Sequence, residues 1–381
     1  MKQHDPRGIV FYLLRYSRIF LGLIFIFSST VKGIDPLGTS YRVEDYLANF
    51  GWGFLMPHAL LVSYIIIISE FLLGIAFLFK LFFKKAVWLM LLMLSFFTVL
   101  TFFDALKNLV PDCGCFGDAI KLSNWATFYK NIVLISLNIF VLVYARKLVP
   151  RRPRFFPQFL ILVITGTVFL GFMNYNLNHL PIIDFRNWKV GENMKPTGLS
   201  MEKKFVVYKN RKTGETKEFL FPNFPWKDST WMAQWKFVGQ RIDDSQVHKK
   251  YNLVLEDSLG NDHAKAIIEN PGTQFLLFSY NLSLGNSKGF QKAATLESFL
   301  NSKGISMVLI TASDRAEISR IENGYHLIIP AFLADETELK AIIRSNPGLM
   351  MMRNGIIIKK WASRDFLTPD QVQKYLVSPE H

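Results

Sequence analysis

The sequence predicts a membrane-embedded α-helical bundle followed by a soluble α/β domain. Half of the 381 residues are hydrophobic and 35 are phenylalanine, while 19% are charged, fewer than a soluble protein of this length normally carries. The apolar excess lies almost wholly before residue 175, in successive runs long enough to cross the hydrocarbon core. Beyond that point charge rises, and the pattern changes to short strands alternating with amphipathic helices.

Five spans are expected: Val10 to Val31, Ala59 to Phe79, Ala86 to Leu106, Trp125 to Ala145 and Phe155 to Met173. No small-x-small cleavage site follows the first run; Lys32-Gly33-Ile34-Asp35-Pro36 does, so it reads as a span rather than a signal peptide. Arg15 and Arg18, in its first third, are expected to snorkel to the headgroups.

Basic residues set the orientation. One side collects Lys2, Arg7, Arg15, Arg18, Lys80, Lys84, Lys85, Arg146, Lys147, Arg151, Arg152 and Arg154. The other has Lys32 and Arg42 in the first loop, then Lys107 and Lys121 in the third. The N-terminus is therefore expected in the cytoplasm and the C-terminal half outside, a multi-pass arrangement in a bacterial inner membrane with a periplasmic domain. The net charge of +14 is accounted for by these flanks; with no basic patch interleaved with aromatics, nucleic acid is not an expected partner.

The two cysteines, Cys113 and Cys115, share one short outer loop, Pro111-Asp112-Cys113-Gly114-Cys115-Phe116-Gly117-Asp118. A disulfide between positions i and i+2 departs from preferred geometry and is easily reduced, which suits exchange with a partner. A structural staple normally closes a longer loop. The alternatives are two packed, unpaired thiols, or metal binding, although two thiols without nearby histidines make half a zinc site.

Polar residues lie within the spans below this loop. Glu70, deep in the second span, must face the bundle interior, protonated or paired. Asp104 and Lys130 are expected to pair near the outer ends of the third and fourth spans. Lys32 and Asp35 end the first span as an interfacial anchor or as the rim of the same cavity. These groups serve a proton or quinone-linked site beneath the thiols, or act as polar glue between helices, the role expected of Asn138.

Residues 8–148 resemble the DoxX-like membrane family and, within it, the methylamine-utilisation MauE branch. The resemblance is carried by Phe27-Ser28-Ser29, by Lys32-Gly33-Ile34-Asp35-Pro36, by Glu70-Phe71-Leu72-Leu73-Gly74 and by the cysteine motif with its Phe-Gly. It implies a four-helix bundle concerned with periplasmic redox or cofactor maturation; MauE-type members are associated with maturing a disulfide-rich dehydrogenase subunit. Residues 149–175 are then a fifth, tethering span, and 176–262 a small β-rich extension.

In the extension, strands are expected at 205–208, 218–220 and 251–256, with Trp226, Trp231 and Trp235 forming a small aromatic core. Residues 263–381 resemble a thioredoxin-like domain: strands at 275–279, 305–311, 326–329 and 348–352 alternate with helices, and Arg353-Asn354-Gly355 turns a terminal hairpin. Pro347 stands where that family keeps its cis-proline. The Cys-x-x-Cys position reads Tyr280-Asn281-Leu282-Ser283-Leu284-Gly285-Asn286-Ser287, without a thiol. The domain is therefore expected to bind a client or thiol-redox partner, leaving chemistry to Cys113 and Cys115. A non-enzymatic scaffold, or a small-molecule transporter using Glu70, are the competing readings.

Overall fold

The computed structural model describes residues 6–110, 114–144, 154–196, 203–220, 223, 225, 228–243 and 251–377. The expectations attached to Lys2, Cys113, Arg146, Lys147, Arg151, Arg152 and Trp226 lie outside these residues.

Helix α1 (Pro6–Ile34) turns at Asp35 into a shorter α2 (Pro36–Asn49), and a 3₁₀ turn (Gly53–His58) leads into α3 (Ala59–Phe79). Next come α4 (Phe83–Lys107), α5 (Asn124–Val143) and α6 (Phe155–Asn178). Among the described residues, all of these except α2 and the 3₁₀ turn are long and apolar enough to cross a membrane alone; the turn extends the α3 span. The five expected spans are present, and the protein is a multi-pass membrane protein. Helix α2 is an addition to that expectation. Its start is written in Asp35-Pro36: proline suits the first helical position, and the Asp35 carboxylate caps the Gly38 N–H at 2.9 Å.

Helices α1 and α3 cross at Gly22 and Gly74. A Cβ on Gly74 would lie 2.9 Å from the Gly22 carbonyl oxygen and 2.7 Å from Ile26 Cγ1, so the backbones meet at a distance only glycine permits. Arg18 does not snorkel as expected. Its side chain is buried, and Nη1 donates to the carbonyls of Phe77 and, at 2.8 Å, Leu78. These belong to the last turn of α3, which has no helical donors of its own. Arg18→Ala is expected to cost roughly 1–3 kcal/mol by leaving those carbonyls unmatched, read as a lower thermal midpoint in detergent, with Arg15→Ala, on the exposed side, as the control.

The soluble part begins with β1 (Lys203–Asn210), β2 (Thr216–Leu220), α7 (Ser229–Gln234) and β3 (Trp235–Asp243), forming a small antiparallel sheet in the order β2-β1-β3. Val206, Tyr208 and Trp235 are its buried core, with the Trp231 and Trp235 rings stacked at 5.4 Å. The segment 251–256 is not a strand; only Glu256 makes bridge pairs, to Asp262 and Leu333. After α8 (Ala264–Ile268) come β4 (Thr273–Ser279), α9 (Ser287–Ser302), β5 (Ser306–Thr311), α10 (Arg315–Tyr325), β6 (Ala331–Leu333), α11 (Glu336–Ile342), β7 (Gly348–Arg353), β8 (Ile356–Ala362) and α12 (Pro369–Val377).

The five-stranded sheet has the order β6-β5-β4-β7-β8. Strands β4, β5 and β6 are parallel, and β7 and β8 return antiparallel as a hairpin. This is the thioredoxin-like arrangement. Strand β4 serves both faces by alternation: Phe275 and Leu277 pack under α9, whereas Leu276 and Phe278 pack against Trp188, Met194 and Tyr251. The strand expected at 326–329 is instead a loop. His326 ends α10 in a left-handed conformation, Leu327 and Ile329 are buried from the loop, and β6 begins only after Pro330. Proline lacks the N–H a ladder needs, but its carbonyl accepts from Leu309 N at 2.8 Å.

Candidate functional site

Residues 114–118 of the cysteine loop lie in the angle between α1 and α2. Gly114 has φ +61° and Gly117 φ +55°, which lets the chain turn tightly enough for Gly117 N to donate to Gly114 O at 3.0 Å. Three side chains hold this turn. Ser28 on α1 donates to the Cys115 carbonyl at 2.7 Å. The Phe116 ring is buried, 5.4 Å from that of Phe27, with Lys130 Nζ 4.5 Å above it. Arg42 on α2 lies directly against Gly114 and pairs with Asp118 at 2.6 Å. Gly114→Ala is expected to cost roughly 1–2 kcal/mol in backbone strain and to push Arg42 off Asp118, read as faster alkylation of Cys115 with the Cys113 site blocked by serine.

Cys115 is partly buried and lines a cavity of about 670 Å³ formed by α1, α2, α3, α4 and α5. The walls are mostly apolar, among them Phe25, Leu94, Phe97 and Leu134; Ser28, Lys32, Glu70, Lys130 and Asn131 supply polar groups. Lys32 and Glu70 form an ion pair at 2.6 Å, and their side chains are 8% and 5% exposed. Ser28 Oγ also lies 3.2 Å from the second Glu70 oxygen, so one hydroxyl bridges the carboxylate and the cysteine backbone. Glu70 is about 16 Å along α3 from Ala59 at the helical rise. Its partner is Lys32, which the sequence placed at an interface or a cavity rim.

Asp104 and Lys130 do not pair. Asp104 is fully buried, accepting from Val110 N at 3.1 Å and lying 3.3 Å from the Tyr46 hydroxyl, so it shapes the entry to the cysteine loop. Lys130 lies over Phe116, and among the described residues it forms no ion pair. Asn138 is buried and donates to Val87 O at 3.2 Å, an interhelical tie. Asp35 does not reach the cavity; it turns to the soluble domain.

That contact joins the two halves. Arg344, just beyond α11, pairs with Asp35 at 2.9 Å and with Asp118 at 3.4 Å. With Arg42 on Asp118, three alternating charges, Arg344, Asp118 and Arg42, run from the domain to the glycine between the two cysteines, and Asp35 holds Arg344 from the other side. Burial acts to raise the Asp35 carboxyl; Arg344, then Arg186 and the Gly38 N–H, overcome it and hold Asp35 below the usual carboxylate range. Arg344 is raised above its ordinary value because Asp35, Tyr41 and Asp118 outweigh its own burial. Beside them the Tyr41 and Tyr280 ring centroids are 6.4 Å apart, with Lys340 Nζ 4.5 Å from one and 5.5 Å from the other.

Tyr280 opens the segment where a thioredoxin-like enzyme carries its thiols. The Asn346–Pro347 peptide bond is cis. Asn346 accepts from Ser279 Oγ and donates to Asn281 O, both at 2.6 Å. A Cβ on Gly289 would meet Pro347 at 3.0 Å. The thiol-free segment is therefore packed against the proline loop on one side and joined to α2 through Tyr280. Ser283 and Leu284 remain exposed. Among the described residues no group of three histidine, cysteine or carboxylate side chains is placed to hold a metal ion.

Fold and site together define a membrane bundle carrying a thioredoxin-like domain against its cysteine loop. Residues 10–145 match the family model of methylamine utilisation protein MauE, so the bundle is similar to that family over this part of the chain, and the thioredoxin-like domain follows it. Among solved structures it is similar to StoA from Bacillus subtilis, at 15% identity and a TM-score of 0.26 over 32% of this chain and 96% of that one. It is also similar to the thiol peroxidase from Chromobacterium violaceum, at 16% identity and a TM-score of 0.26 over 32% of this chain and 80% of that one. No curated protein matches it.

Proposed function

We propose that this protein supports thiol–disulfide exchange in the cell envelope, with Cys113 and Cys115 as the reacting pair and the thioredoxin-like domain as the element that brings a client to them. One observation supports this reading most directly: the cysteine loop is tied to the domain by Arg42, Asp118, Arg344 and Asp35, while the domain's own thiol position contains none. The lysine and arginine distribution supports a periplasmic position for loop and domain, where disulfides persist.

In the exchange, a client thiolate attacks one sulfur of a Cys113–Cys115 disulfide and a mixed disulfide forms. The client's second thiolate then displaces the loop cysteine. Two electrons pass to the loop, two protons leave the client, and the loop is left as a dithiol. Tyr280 is engaged with α2, so exposed Ser283 and Leu284 form the free edge for a client.

The test is trapping with Cys113→Ser and Cys115→Ser separately. One variant is expected to accumulate a mixed disulfide with an envelope protein, and the double variant none. Unchanged redox states of every envelope protein in the double variant would leave the scaffold reading standing.

A further inference from the structure

The charged contact between the two halves ends on the glycine between the cysteines. A Cβ on Gly114 would lie 2.9 Å from Arg42 Cζ, so the guanidinium rests against the loop backbone, next in sequence to both cysteines. Arg42 is held there from two sides: Nη1 donates to Gly38 O at 3.3 Å, and Nη2 pairs with Asp118 at 2.6 Å. The other oxygen of Asp118 lies 3.4 Å from Arg344 of the domain. Arg42 lines the cavity of Cys115 and also a polar cavity of about 580 Å³ at the seam, which Asp118 and Arg344 line with it.

These contacts make the charge beside the thiols depend on docking. With the domain in place, Arg42 and Arg344 balance Asp118 and Asp35. Without it, both carboxylates face Arg42 alone, and Asp118 holds that guanidinium without competition. The domain's other cation at α2, Lys340, is matched by Glu44 and Glu336. The remaining charges around Cys115 belong to the bundle and stay as they are: Lys32 is paired with Glu70, Lys130 lies over Phe116, and Asp104 accepts from Val110 N. A thiolate beside a guanidinium is stabilised, and a disulfide whose reduced form is stabilised opens more readily.

We propose that docking of the thioredoxin-like domain makes the loop disulfide easier to open: Arg344 takes up part of the charge of Asp118, and Arg42 on Gly114 is left to stabilise the cysteine thiolate that opening releases. Arg42 and Arg344 are positioning residues in this scheme, and the domain is a switch for the thiols as well as a carrier for a client. Its use on a client rests on the thiol-exchange reading; the effect of docking on the thiols does not. In the step itself a reagent thiolate attacks one sulfur of the Cys113–Cys115 bond, and the other sulfur leaves as a thiolate. A second reagent thiolate then displaces the bound cysteine and leaves as the reagent disulfide. Two electrons and two protons have passed from the reagent to the loop.

The experiment equilibrates the full-length protein in mild detergent with mercaptoethanol and its disulfide, whose hydroxyethyl groups carry no charge, at about pH 9, above the ordinary thiol value of about 8.5. The readout is the reagent ratio at which half of the loop is reduced. Arg344→Ala is expected to require a ratio about three- to tenfold more reducing than the wild type, and Arg344→Lys to recover part of the shift. Asp118→Asn is expected to move the ratio the other way by a similar factor, because it removes the anion that competes for Arg42. Loosening of the seam by itself would move both variants alike. Equal ratios in all four proteins, or shifts of one sign in Arg344→Ala and Asp118→Asn, overturn the proposal. A loop that never closes to a disulfide counts against thiol exchange; the same comparison in the Cys113→Ser background, reading the mixed disulfide of Cys115 with mercaptoethanol, then decides the coupling. Partners trapped in cells while these ratios stay equal count against the coupling alone.

Discussion

Glu70→Gln is expected to lower the stability of the membrane bundle by roughly 3–5 kcal/mol, the cost of stranding one member of a buried ion pair. Lys32 Nζ, 2.6 Å from the carboxylate, then has no anion in a pocket where its side chain is 8% exposed. Lys32→Met alone strands Glu70 and is expected to cost as much. The Lys32→Met/Glu70→Leu double variant regains most of the loss, because two apolar side chains carry no desolvation penalty. Thermal unfolding of the wild type, Lys32→Met, Glu70→Leu and Lys32→Met/Glu70→Leu in one detergent gives the cycle. Additive losses in the double variant would show that the pair is not what holds these helices together.

The second large effect is on docking. Arg344→Ala removes the guanidinium that joins the half-buried Asp35 and Asp118, leaving Asp118 to Arg42 and Asp35 with no cation within 4 Å among the described residues, and is expected to weaken the attachment of the soluble domain by roughly 2–3 kcal/mol. Arg344→Lys recovers only part, since a single ammonium does not reproduce a fork that meets two carboxylates. The readout is hydrogen exchange along α2, whose protection falls when the domain lifts away. The pH dependence follows from Asp35. Its carboxyl is depressed in the docked protein, so the contact is fully present above the ordinary carboxylate range near about 3.9 and is lost as pH falls below it. Asp35→Asn is expected to remove that acid transition.

These two contacts separate what the sequence made legible from what it did not. The spans stand out in composition, since no other arrangement hides so much apolar surface, and β4, β5, β7 and β8 stand out as short apolar runs. Glu70 was identifiable because a carboxylate inside a span must face inward. Its partner was not: Lys32 is 38 positions away, and local pattern carries no distance of that kind. Asp35 and Arg344 are 309 positions apart and meet only because α2 lies under α11, and α2 was overlooked because its neutral amphipathic surface makes sense only when the domain covers it. Its start signal, Asp35-Pro36, was nevertheless in view. The Leu327–Ile329 run departs from its expected strand for the reverse reason. It is apolar and β-branched like a strand, but Pro330 delays the ladder, and the run is buried as a loop.

The polar residues below the cysteines were likewise visible as a set but not as partners. Pairing Asp104 with Lys130 by depth ignored their surroundings: Asp104 is taken by the backbone of Val110, and Lys130 by the Phe116 ring. Once Lys32 joins Glu70 and Ser28 joins both to Cys115, the cavity and the loop form one unit.

In the proposed exchange the Cys113–Cys115 pair turns over. Its most direct test is acid quenching and alkylation of the wild-type protein in intact cells, before and after a brief pulse of reductant. A mixture of oxidised and reduced protein is expected at steady state, with full reduction by the pulse and prompt re-oxidation once it is withdrawn. A pair that stays reduced throughout, or stays oxidised and is untouched by the pulse, would contradict it.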